Sequence, residues 1–564
     1  MVLRLPSPIK IPRRLGCAVI AAALVILISA CGSATTTPTA TPTPTPVLQE
    51  LRLNLGGEPG SLDPHQAALA TDLSVIRQLF HGLLGFKPDL SLEPVVATRV
   101  PSLENGGISE DGLSYTFTIR EDATWSDGLK VTAGDFVYSI KRLLDPSVAG
   151  PSAFLYMIIR GGGEYLSAKG GDPSTMQLLR DAVAVEALDD HTLHITLSEP
   201  NPTFLQKMAL APAFPVRQDI VEEFSDGWTE SGNLIGNGPY ILTQWVHQSR
   251  IVLEANPEYW GPEPGLTKIS LSMITDVNAE LAAYQAGKLD MSQVPPGTET
   301  VILGDASLGK EVIRSTDLRT FGLFFNTSQA PFDNLLVRKA FTTAIDRNAW
   351  ISKVKNGVGR PATGWLPPGM PGHEPDLGSQ YTFDQERAAQ LLADAGYPGG
   401  EGLPSVSLTY VEAGDQHIMA EFLQAQMKDN LGVDMPLSPL DSFQQVVGAR
   451  QFQVVLVSPG ADYPDPEGAL ASLFVTGAPV NITQYSNPEF DRLAGLAASE
   501  LDQEERLDLW KRAHRIIVEE APVGFFFYGE RFFLKKPRVQ GLTLTGLDGA
   551  IPGDTRLAEV FITH

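Results

Sequence analysis

The stretch TFGLFFNTSQAPFDNLLVRKAFTTAIDR, residues 320–347, marks the point where the chain passes from one half of the molecule to the other. Its apolar run at 321–325 predicts a strand, and Pro331 ends that strand because proline has no amide hydrogen to donate to a sheet. Asp333 or Asn334 can cap the helix that follows. We therefore interpret this stretch as a hinge through which the chain enters a second folding unit.

The helix after the hinge has one apolar face in the sequence. Its apolar side chains recur at i, i+3, i+4, i+7 and i+8, which is the spacing of a single buried helical face. These positions are Val337, Ala340, Phe341, Ala344 and Ile345. We expect the polar positions between them to face solvent, namely Arg338, Lys339, Thr342 and Thr343.

The residues of this stretch resemble those of the bacterial extracellular solute-binding proteins of family 5, the dipeptide and oligopeptide receptors of ABC importers. Further segments that look like family landmarks recur in family order. They are GEPGSLDPHQA (57–67), LFHGLLGF (79–86), YTFTIREDATWSDGLKVTAGDFVYSIKRLLDP (115–146), GNGPYIL (236–242), NPEYWG (256–261), RPATGWLPPGMPG (360–372), RAAQLLADAGYP (387–398), GADYPDP (460–466) and QYSNPEFDRL (484–493). The resemblance implies an α/β, two-lobed periplasmic-binding-protein-like fold of the large cluster C type, with mixed sheets and a ligand cleft between the lobes. It does not identify the ligand.

Length and charge narrow the function further. A chain of 564 residues with 43% hydrophobic residues can bury a large core and is expected to form two or three domains. Its formal net charge is −24. This charge argues against a nucleic-acid partner, because a phosphate backbone requires a basic surface. We interpret the acidity as a solubility feature rather than as steering of a cationic ligand.

The N-terminus has the parts of an export signal. Arg13 and Arg14 precede an apolar run at 15–28, which is short for a membrane span. The sequence Ile-Ser-Ala-Cys that ends at Cys31 resembles the lipobox of bacterial lipoproteins. This resemblance implies that residues 1–30 are a signal peptide and that Cys31 carries lipid, and the alternative is an uncleaved anchor helix. We expect an extracytoplasmic protein, lipid-anchored to the outer face of the cell membrane or in the periplasm.

Residues 31–47 are predicted to form the lipidated cysteine and a tether. The segment SATTTPTATPTPTP at 33–46 contains no large apolar side chain and many prolines, so it cannot join a core. In a polyproline II conformation, at about 3.1 Å per residue, some sixteen residues of this tether span roughly 50 Å. The other cysteine is Cys17, in the predicted signal peptide, so we expect no disulfide and no cysteine-based metal site in the folded body.

The lobes are assigned from two crossings of the chain. The aromatic run 525–533, bounded by Pro522 and Pro537, predicts a core strand that returns from the second lobe. The first lobe is therefore expected to comprise residues 48–322 and 528–564, with the second lobe, 323–527, inserted between them. Other predicted elements are strands at 51–55 and 454–457, hairpins around 189–190 and 247–248, and helices at 279–286, 384–395, 416–431, 488–499 and 503–520.

Each candidate motif for catalysis or metal binding lacks a residue or a geometry that its chemistry requires. Residues 304–310 have the glycine spacing of a phosphate-binding loop. The next residue is Glu311, where such a loop requires a serine or threonine to bind magnesium. His191 and His194 lie three apart on a predicted strand and so point to opposite faces. The motifs of zinc proteases, serine esterases and aspartic proteases do not occur. We therefore expect no enzyme activity, no cofactor and no metal site, and a secreted hydrolase is disfavoured.

The candidate ligand site is the loop GADYPDP at 460–466. By default an acidic, proline-rich loop is a solvated turn, but this one resembles the family segment whose aspartate pairs with the α-ammonium of a bound peptide, and Asp462 holds that place. A buried carboxylate requires such a charged partner. The resemblance also implies ligand contacts from Pro459, Gly460, Ala461 and Tyr463, and from Ala70, Ser152 and Phe154 across the cleft.

Two departures from the family pattern affect the pocket. Pro459 stands where peptide-binding relatives often have tryptophan, and Ser152 stands where they have an aromatic residue. Phe154 or Tyr156 could replace that aromatic ring by shape. The pocket is therefore wider, or it holds another solute.

The sequence as a whole predicts a monomeric receptor that closes on a dipeptide or oligopeptide and delivers it to the permease and ATPase subunits of an ABC importer. Because relatives also bind nickel chelates, opines, haem and oligosaccharides, a receptor for such a solute is the first alternative. A chemosensory or pheromone receptor of the same fold is the second.

Overall fold

The computed structural model describes residues 49–563 except 413–414, 450–451 and 461–462, and these residues form one compact unit. The predicted signal peptide, the tether and the lipidation site at Cys31 lie outside the described residues. The strands are β1 (Glu50–Asn54), β2 (Leu84–Phe86), β3 (Leu92–Pro94), β4 (Ser114–Thr118), β5 (Val185–Asp189), β6 (Thr192–Thr196), β7 (Tyr240–Val246), β8 (Arg250–Ala255), β9 (Lys268–Ser272), β10 (Met291–Gln293), β11 (Val312–Phe325), β12 (Arg360–Pro361), β13 (Leu408–Val411), β14 (Leu437–Leu440), β15 (Val454–Val457), β16 (Val523–Lys535), β17 (Val539–Gln540) and β18 (Phe561–Ile562).

The α-helices are α1 (Ala70–Leu79), α2 (Ala133–Leu143), α3 (Gly162–Ser167), α4 (Pro173–Ala182), α5 (Phe204–Lys207), α6 (Gln218–Phe224), α7 (Val277–Gln285), α8 (Glu299–Gly304), α9 (Leu335–Thr343), α10 (Arg347–Ala349), α11 (Gln385–Asp394), α12 (Gln416–Leu431), α13 (Phe443–Ala449), α14 (Pro466–Phe474), α15 (Pro488–Ala497) and α16 (Gln503–Glu520). Short 3-10 helices lie at Ala153–Tyr156, Ala211–Ala213, Ser225–Gly227, Leu308–Lys310, Ser379–Tyr381, Pro398–Gly400 and Leu557–Glu559, and a π-helix lies at Trp350–Val354.

The first lobe is built around a core with side chains from 51–291 and 539–562. It contains a four-stranded sheet in the order β1-β9-β8-β7 and a three-stranded sheet in the order β4-β6-β5. In β4 the buried Tyr115 and Phe117 alternate with half-buried polar residues, as expected for a strand with one face on the core. At the start of the helix α2, Asp135 accepts hydrogen bonds from the backbone amide and the hydroxyl of Thr132, the residue that precedes the helix.

The largest sheet has the order β10-β16-β11-β15-β13-β14, with β12 also pairing with β16, and its part from β11 to β14 forms the centre of the second lobe. The central strand β15 is buried along its whole length. Its residues alternate between two cores: Val454 and Leu456 belong to one, with α9, α11 and α12, and Val455 and Val457 belong to the other, with α14, α15 and α16. The second lobe is therefore a sheet covered by helices on both faces.

The strands β11 and β16 connect the two lobes. They pair antiparallel from Val312 opposite Leu534 to Phe324 opposite Val523. The side chain of Ile313 packs against the core of the first lobe, and the side chain of Leu323, near the other end of β11, belongs to a core of the second lobe. The predicted strands at 321–325 and 525–533 are confirmed as parts of longer strands. The lobe boundaries at 322/323 and 527/528 remain predictions.

The helix after the hinge is α9. Of the two predicted cap residues, Asp333 and Asn334, it is Asn334 that caps its first turn. The side chain of Asn334 accepts a hydrogen bond of 2.9 Å from the amide of Leu336. All five predicted apolar positions are completely buried. The remaining predicted helices and hairpins, and the strands at 51–55 and 454–457, are also found to within one or two residues.

The expectation that the polar positions of α9 face solvent is wrong for Arg338, Thr342 and Thr343, which are buried. The helix packs between the sheet and neighbouring helices, so its second face is covered too. The guanidinium of Arg338 donates hydrogen bonds to the carbonyl oxygens of Phe332 and Glu520, which satisfies its buried donors. The fourth position, Lys339, is half-buried.

Candidate functional site

The predicted ligand loop begins where the buried strand β15 ends. Pro459 is half-buried and Gly460 is exposed. Gly460 forms an antiparallel bridge with Arg319 of the connecting strand β11. A Cβ atom at Gly460 would lie 3.7 Å from Nη2 of Arg319, so the loop and this guanidinium are neighbours. The start of the loop is therefore held against the connection between the lobes.

The end of the loop is fixed by a buried ion pair. The carboxylate of Asp465 caps α14 through a 2.9 Å hydrogen bond from the amide of Glu467. The same carboxylate accepts hydrogen bonds of 2.7 and 2.6 Å from the guanidinium of Arg506 on α16. Burial lowers the pKa of Arg506, but the hydrogen bonds and charge of Asp465 and the charge of Glu467 outweigh it, so its pKa lies above the ordinary value. This pair ties the loop to the second lobe.

Two of the predicted ligand-binding residues, Ala461 and Asp462, lie outside the described residues. Their neighbours Gly460 and Tyr463 are described, and Tyr463 is buried. The structure thus places the attachment points on both sides of Asp462, and the role of Asp462 as amine anchor remains a prediction.

A short segment of the first lobe meets this loop. The hydroxyl of Thr203 donates a 2.8 Å hydrogen bond to Oε2 of Glu467. The ammonium of Lys207, on α5, lies 3.8 Å from Oε1 of Glu467 and 5.6 Å from the ring centre of Tyr463. Burial lowers the pKa of Lys207, and the carboxylates of Glu467 and Asp465 oppose only part of that effect. The two lobes are therefore in contact beside the ligand loop.

The ligand-binding residues predicted across the cleft lie at the 3-10 helix Ala153–Tyr156 and at the start of α1. Ser152 is half-buried and precedes the 3-10 helix on which Phe154 is 57% exposed, so its ring is available for contacts. Tyr156 is completely buried, and its hydroxyl donates a 2.8 Å hydrogen bond to the carbonyl of Lys207, so it is a core residue that supports α5. Ala70 is the exposed first residue of α1, and its carbonyl accepts a hydrogen bond from the amide of Ala550.

A cavity of about 150 Å³ lies at the connecting strands, and Arg319, the bridge partner of Gly460, is one of its lining residues. Phe321 and Phe527 form part of its wall, and their rings stack at 4.5 Å. Arg319 faces it, paired at 3.1 Å with Asp317. Lys355 faces it as well, 3.1 Å from Glu299 and 3.6 Å from Asp415. Aromatic walls with charged groups of both signs suit a ligand that carries both an ammonium and a carboxylate.

Sequence reasoning did not find Thr203, Lys207 or the pair formed by Asp465 and Arg506. The acidic residues of the loop were visible as a cluster, but no local pattern identified their partners. Within the described parts of the chain, no group of three or more histidine, cysteine, aspartate or glutamate side chains is arranged to hold a metal ion. In the same residues, no helix combines the length and the apolar character that crossing a membrane requires.

Residues 91–479 match the sequence model of a protein family, the bacterial extracellular solute-binding proteins, family 5 (middle region). The chain belongs to this family. Among its family 5 relatives is the dipeptide-binding protein DppE of Bacillus subtilis (strain 168), which is 32% identical over 506 residues, covering 87% of this chain and 89% of the relative.

Two solved family 5 structures show the same fold. The unliganded open form of the periplasmic murein tripeptide-binding protein MppA superimposes with a TM-score of 0.78 at 30% identity, covering 92% of this chain and 98% of the other. Haemophilus influenzae OppA in complex with RPPGFSPFR gives a TM-score of 0.69 at 27% identity, covering 92% and 100%. The predicted family and the predicted two-lobed α/β fold are confirmed.

Proposed function

We propose that this protein is the substrate-binding component of an ABC importer, which binds a dipeptide or oligopeptide in the cleft between its lobes and delivers it to the permease. The observation that carries the proposal is its similarity, over nearly the whole length of both chains, to a dipeptide-binding protein and to an oligopeptide-binding protein solved with its peptide. The mixed charges and aromatic walls beside the ligand loop support a zwitterionic ligand.

The peptide lies extended between the lobes in this proposal. Its main chain forms strand-like hydrogen bonds, and water fills the space around its side chains, which gives affinity without strict sequence preference. Its α-ammonium pairs with Asp462, and Pro459, Gly460, Ala461, Tyr463, Ala70, Ser152 and Phe154 form the surrounding contacts. The buried pair of Asp465 and Arg506 holds the loop in place for this contact.

Closure of the lobes couples binding to delivery. A ligand shifts an equilibrium between open and closed forms only when it binds the two forms with different affinity. A peptide that contacts Asp462 on one lobe and Ser152 or Phe154 on the other does so, because both sets of contacts form only when the cleft is closed.

The proposal includes the location and the partners. Cys31 carries the lipid that anchors the protein at the membrane, and residues 31–47 hold the folded body away from it. The permease and ATPase subunits are the protein partners, the receptor acts as a monomer, and it catalyses no reaction.

Native mass spectrometry of protein purified without denaturation tests the proposal. We expect a co-purified mass that fragments as one or more peptides. A nickel chelate, opine, haem or oligosaccharide in its place would contradict the peptide assignment. In a second experiment, a peptide mixture incubated with the protein should be recovered intact, and cleaved products would show that the protein is a hydrolase.

A further inference from the structure

The first lobe contains a cavity of about 350 Å³ that shares no lining residue with the cavity at the connecting strands. One wall is formed by the end of α1 and the hairpin of β2 and β3, and another by residues 209–214 and 259–262. Part of the chain between 547 and 559 closes it. Its volume falls in the range of about 300 to 1,000 Å³ that is typical of small-molecule sites.

Three rings form an aromatic corner in this cavity. The His81 ring packs edge-to-face against Tyr259, with centres 5.6 Å apart, and against Trp260, with centres 5.9 Å apart. The Tyr259 hydroxyl lies 3.3 Å from Nδ1 of His81. Burial lowers the pKa of His81 to about 4, so the imidazole is neutral near pH 7. The corner is therefore apolar on its ring faces and uncharged at its polar atoms.

Arg120 is the cation at this corner that a ligand can recruit. Its guanidinium lies 4.3 Å from the centre of the Trp260 ring. Its carboxylate partner is Asp122, whose side chain is 62% exposed. Arg120 donates hydrogen bonds of 2.6 and 2.9 Å to the two carboxylate oxygens of Asp122. Because Asp122 is exposed, water can solvate its carboxylate once it is released, so a ligand carboxylate can replace it on Arg120.

The acidic residues of the cavity wall are both bound by another arginine. Glu93 and Glu559 both accept hydrogen bonds of 2.7 Å from the guanidinium of Arg556. Both carboxylates are therefore paired with Arg556. The pKa of Arg556 lies above its ordinary value, mainly because of the hydrogen bond to Glu559. The cavity wall has two further arginines besides Arg120: Arg556, which is held by both glutamates, and Arg77, which is paired with Asp554. Arg120, whose partner Asp122 is exposed, is therefore the arginine that a ligand carboxylate can take over.

We propose that this cavity is a second ligand site, which takes a compact aromatic carboxylate with its ring against His81, Tyr259 and Trp260 and its carboxylate on Arg120. The site is separate from the peptide cleft, and the inference does not depend on the proposed transport function. It gives the receptor a means of sensing or carrying a small acid in addition to its main ligand.

Calorimetric titration of the purified protein with naphthoate, and with the uncharged naphthamide, tests the charge contact. We expect Arg120→Gln to weaken naphthoate binding about tenfold, the loss typical of one charge-assisted hydrogen bond, and to leave naphthamide binding unchanged. Arg99→Gln removes an exposed arginine outside the cavity and should leave both affinities unchanged. Failure of the parent protein to bind naphthoate at about 1 mM, or equal affinity in the Arg120 variant, would overturn the proposal.

A cavity-filling variant tests the location. Ala211 is buried in the cavity wall, and Ala211→Phe should abolish binding of both probes while circular dichroism stays unchanged. If this variant does not fold, a crystal of the parent protein soaked in naphthoate provides the same test, with density expected beside Trp260. Density in the cleft between the lobes instead, or retained binding in a folded Ala211→Phe protein, would contradict the location.

Discussion

The guanidinium of Arg506 binds both carboxylate oxygens of Asp465, and the side chains of the two residues are 0% and 2% exposed. Asp465 lies three residues after Asp462, at the first turn of α14, and Arg506 lies on α16. The pair therefore joins the end of the ligand loop to a long helix of the second lobe. We therefore expect both the stability of that lobe and the position of the loop to depend on this pair.

Removal of Arg506 should destabilise the protein strongly. Arg506→Met leaves the Asp465 carboxylate buried without its partner, and we expect a loss of about 3 to 5 kcal/mol in the free energy of unfolding measured with urea. Arg492→Met, which removes a solvent-exposed partner of Glu489, is the matched control and should change stability very little. Similar effects of the two substitutions would show that the buried pair has no special role.

Acid should weaken the second lobe through His514. Its Nε2 accepts hydrogen bonds from the amides of Trp365 and Leu366, at 3.1 and 3.3 Å. Burial, assisted by the charges of His373 and Arg515, lowers the pKa of His514 to about 3, whereas its unfolded value is 6.5. Below pH 6.5 the unfolded chain takes up a proton that the folded protein excludes. The contribution of neutral His514 to the free energy of unfolding is thus complete above pH 6.5 and is lost as the pH falls towards 3.

Urea unfolding of the parent protein and of His514→Gln between pH 6 and 4 isolates this contribution. As the pH is lowered, the free energy of unfolding of the parent should fall by about 1.4 kcal/mol more per pH unit than that of the variant. The reason is that unfolding of the variant takes up one proton fewer. Other buried histidines, such as His65, with a pKa of about 4, contribute equally to both proteins and cancel. Parallel pH profiles would contradict the assignment.

The local elements of the fold could be predicted because their signals are local. The predicted end of the helix at 431 is where α12 ends, because Gly432, whose φ is +72°, takes a conformation that favours glycine. The predicted strand at 454–457 is β15, since an apolar run of four residues is buried along its whole length. The resemblance to a family gave the arrangement of the lobes. The covered second face of α9 could not be predicted, since the neighbours of Arg338 are set by tertiary packing.

The contacts of the candidate site could not be predicted for the same reason. Arg506 lies 41 residues from Asp465, and Thr203 lies 264 residues from its partner Glu467. No spacing rule links residues so far apart, and each alone has the appearance of an ordinary surface charge or hydroxyl. Only the folded chain shows that they meet beside the ligand loop.

The proposed lipid anchor at Cys31 predicts a change in location when that cysteine is replaced. Cys31→Ser should release the folded body into the soluble fraction of lysed cells and leave its ligand affinity and its circular dichroism unchanged. The parent protein, fractionated in parallel, is the control and should remain with the membranes. Continued membrane retention of the variant would rule out lipidation at Cys31.

The proposed closure of the lobes predicts contraction in solution. A saturating peptide should reduce the radius of gyration measured by small-angle X-ray scattering, while circular dichroism shows the same secondary structure, because the lobes move as bodies about β11 and β16. A peptide with a blocked N-terminus at the same concentration serves as the control for weak binding. An unchanged radius of gyration with a bound free-amine peptide would remove the closing mechanism.

The central claim, that a peptide binds between the lobes with its amine on Asp462, is tested most directly by a calorimetric cycle. Parent and Asp462→Asn proteins are each titrated with a free-amine peptide and with its N-acetylated form. Removing one partner of a buried charge pair costs about 2 to 5 kcal/mol, so the variant should bind the free-amine peptide roughly thirty- to several-thousand-fold more weakly and the acetylated peptide only slightly more weakly. A coupling free energy near zero would contradict the claim.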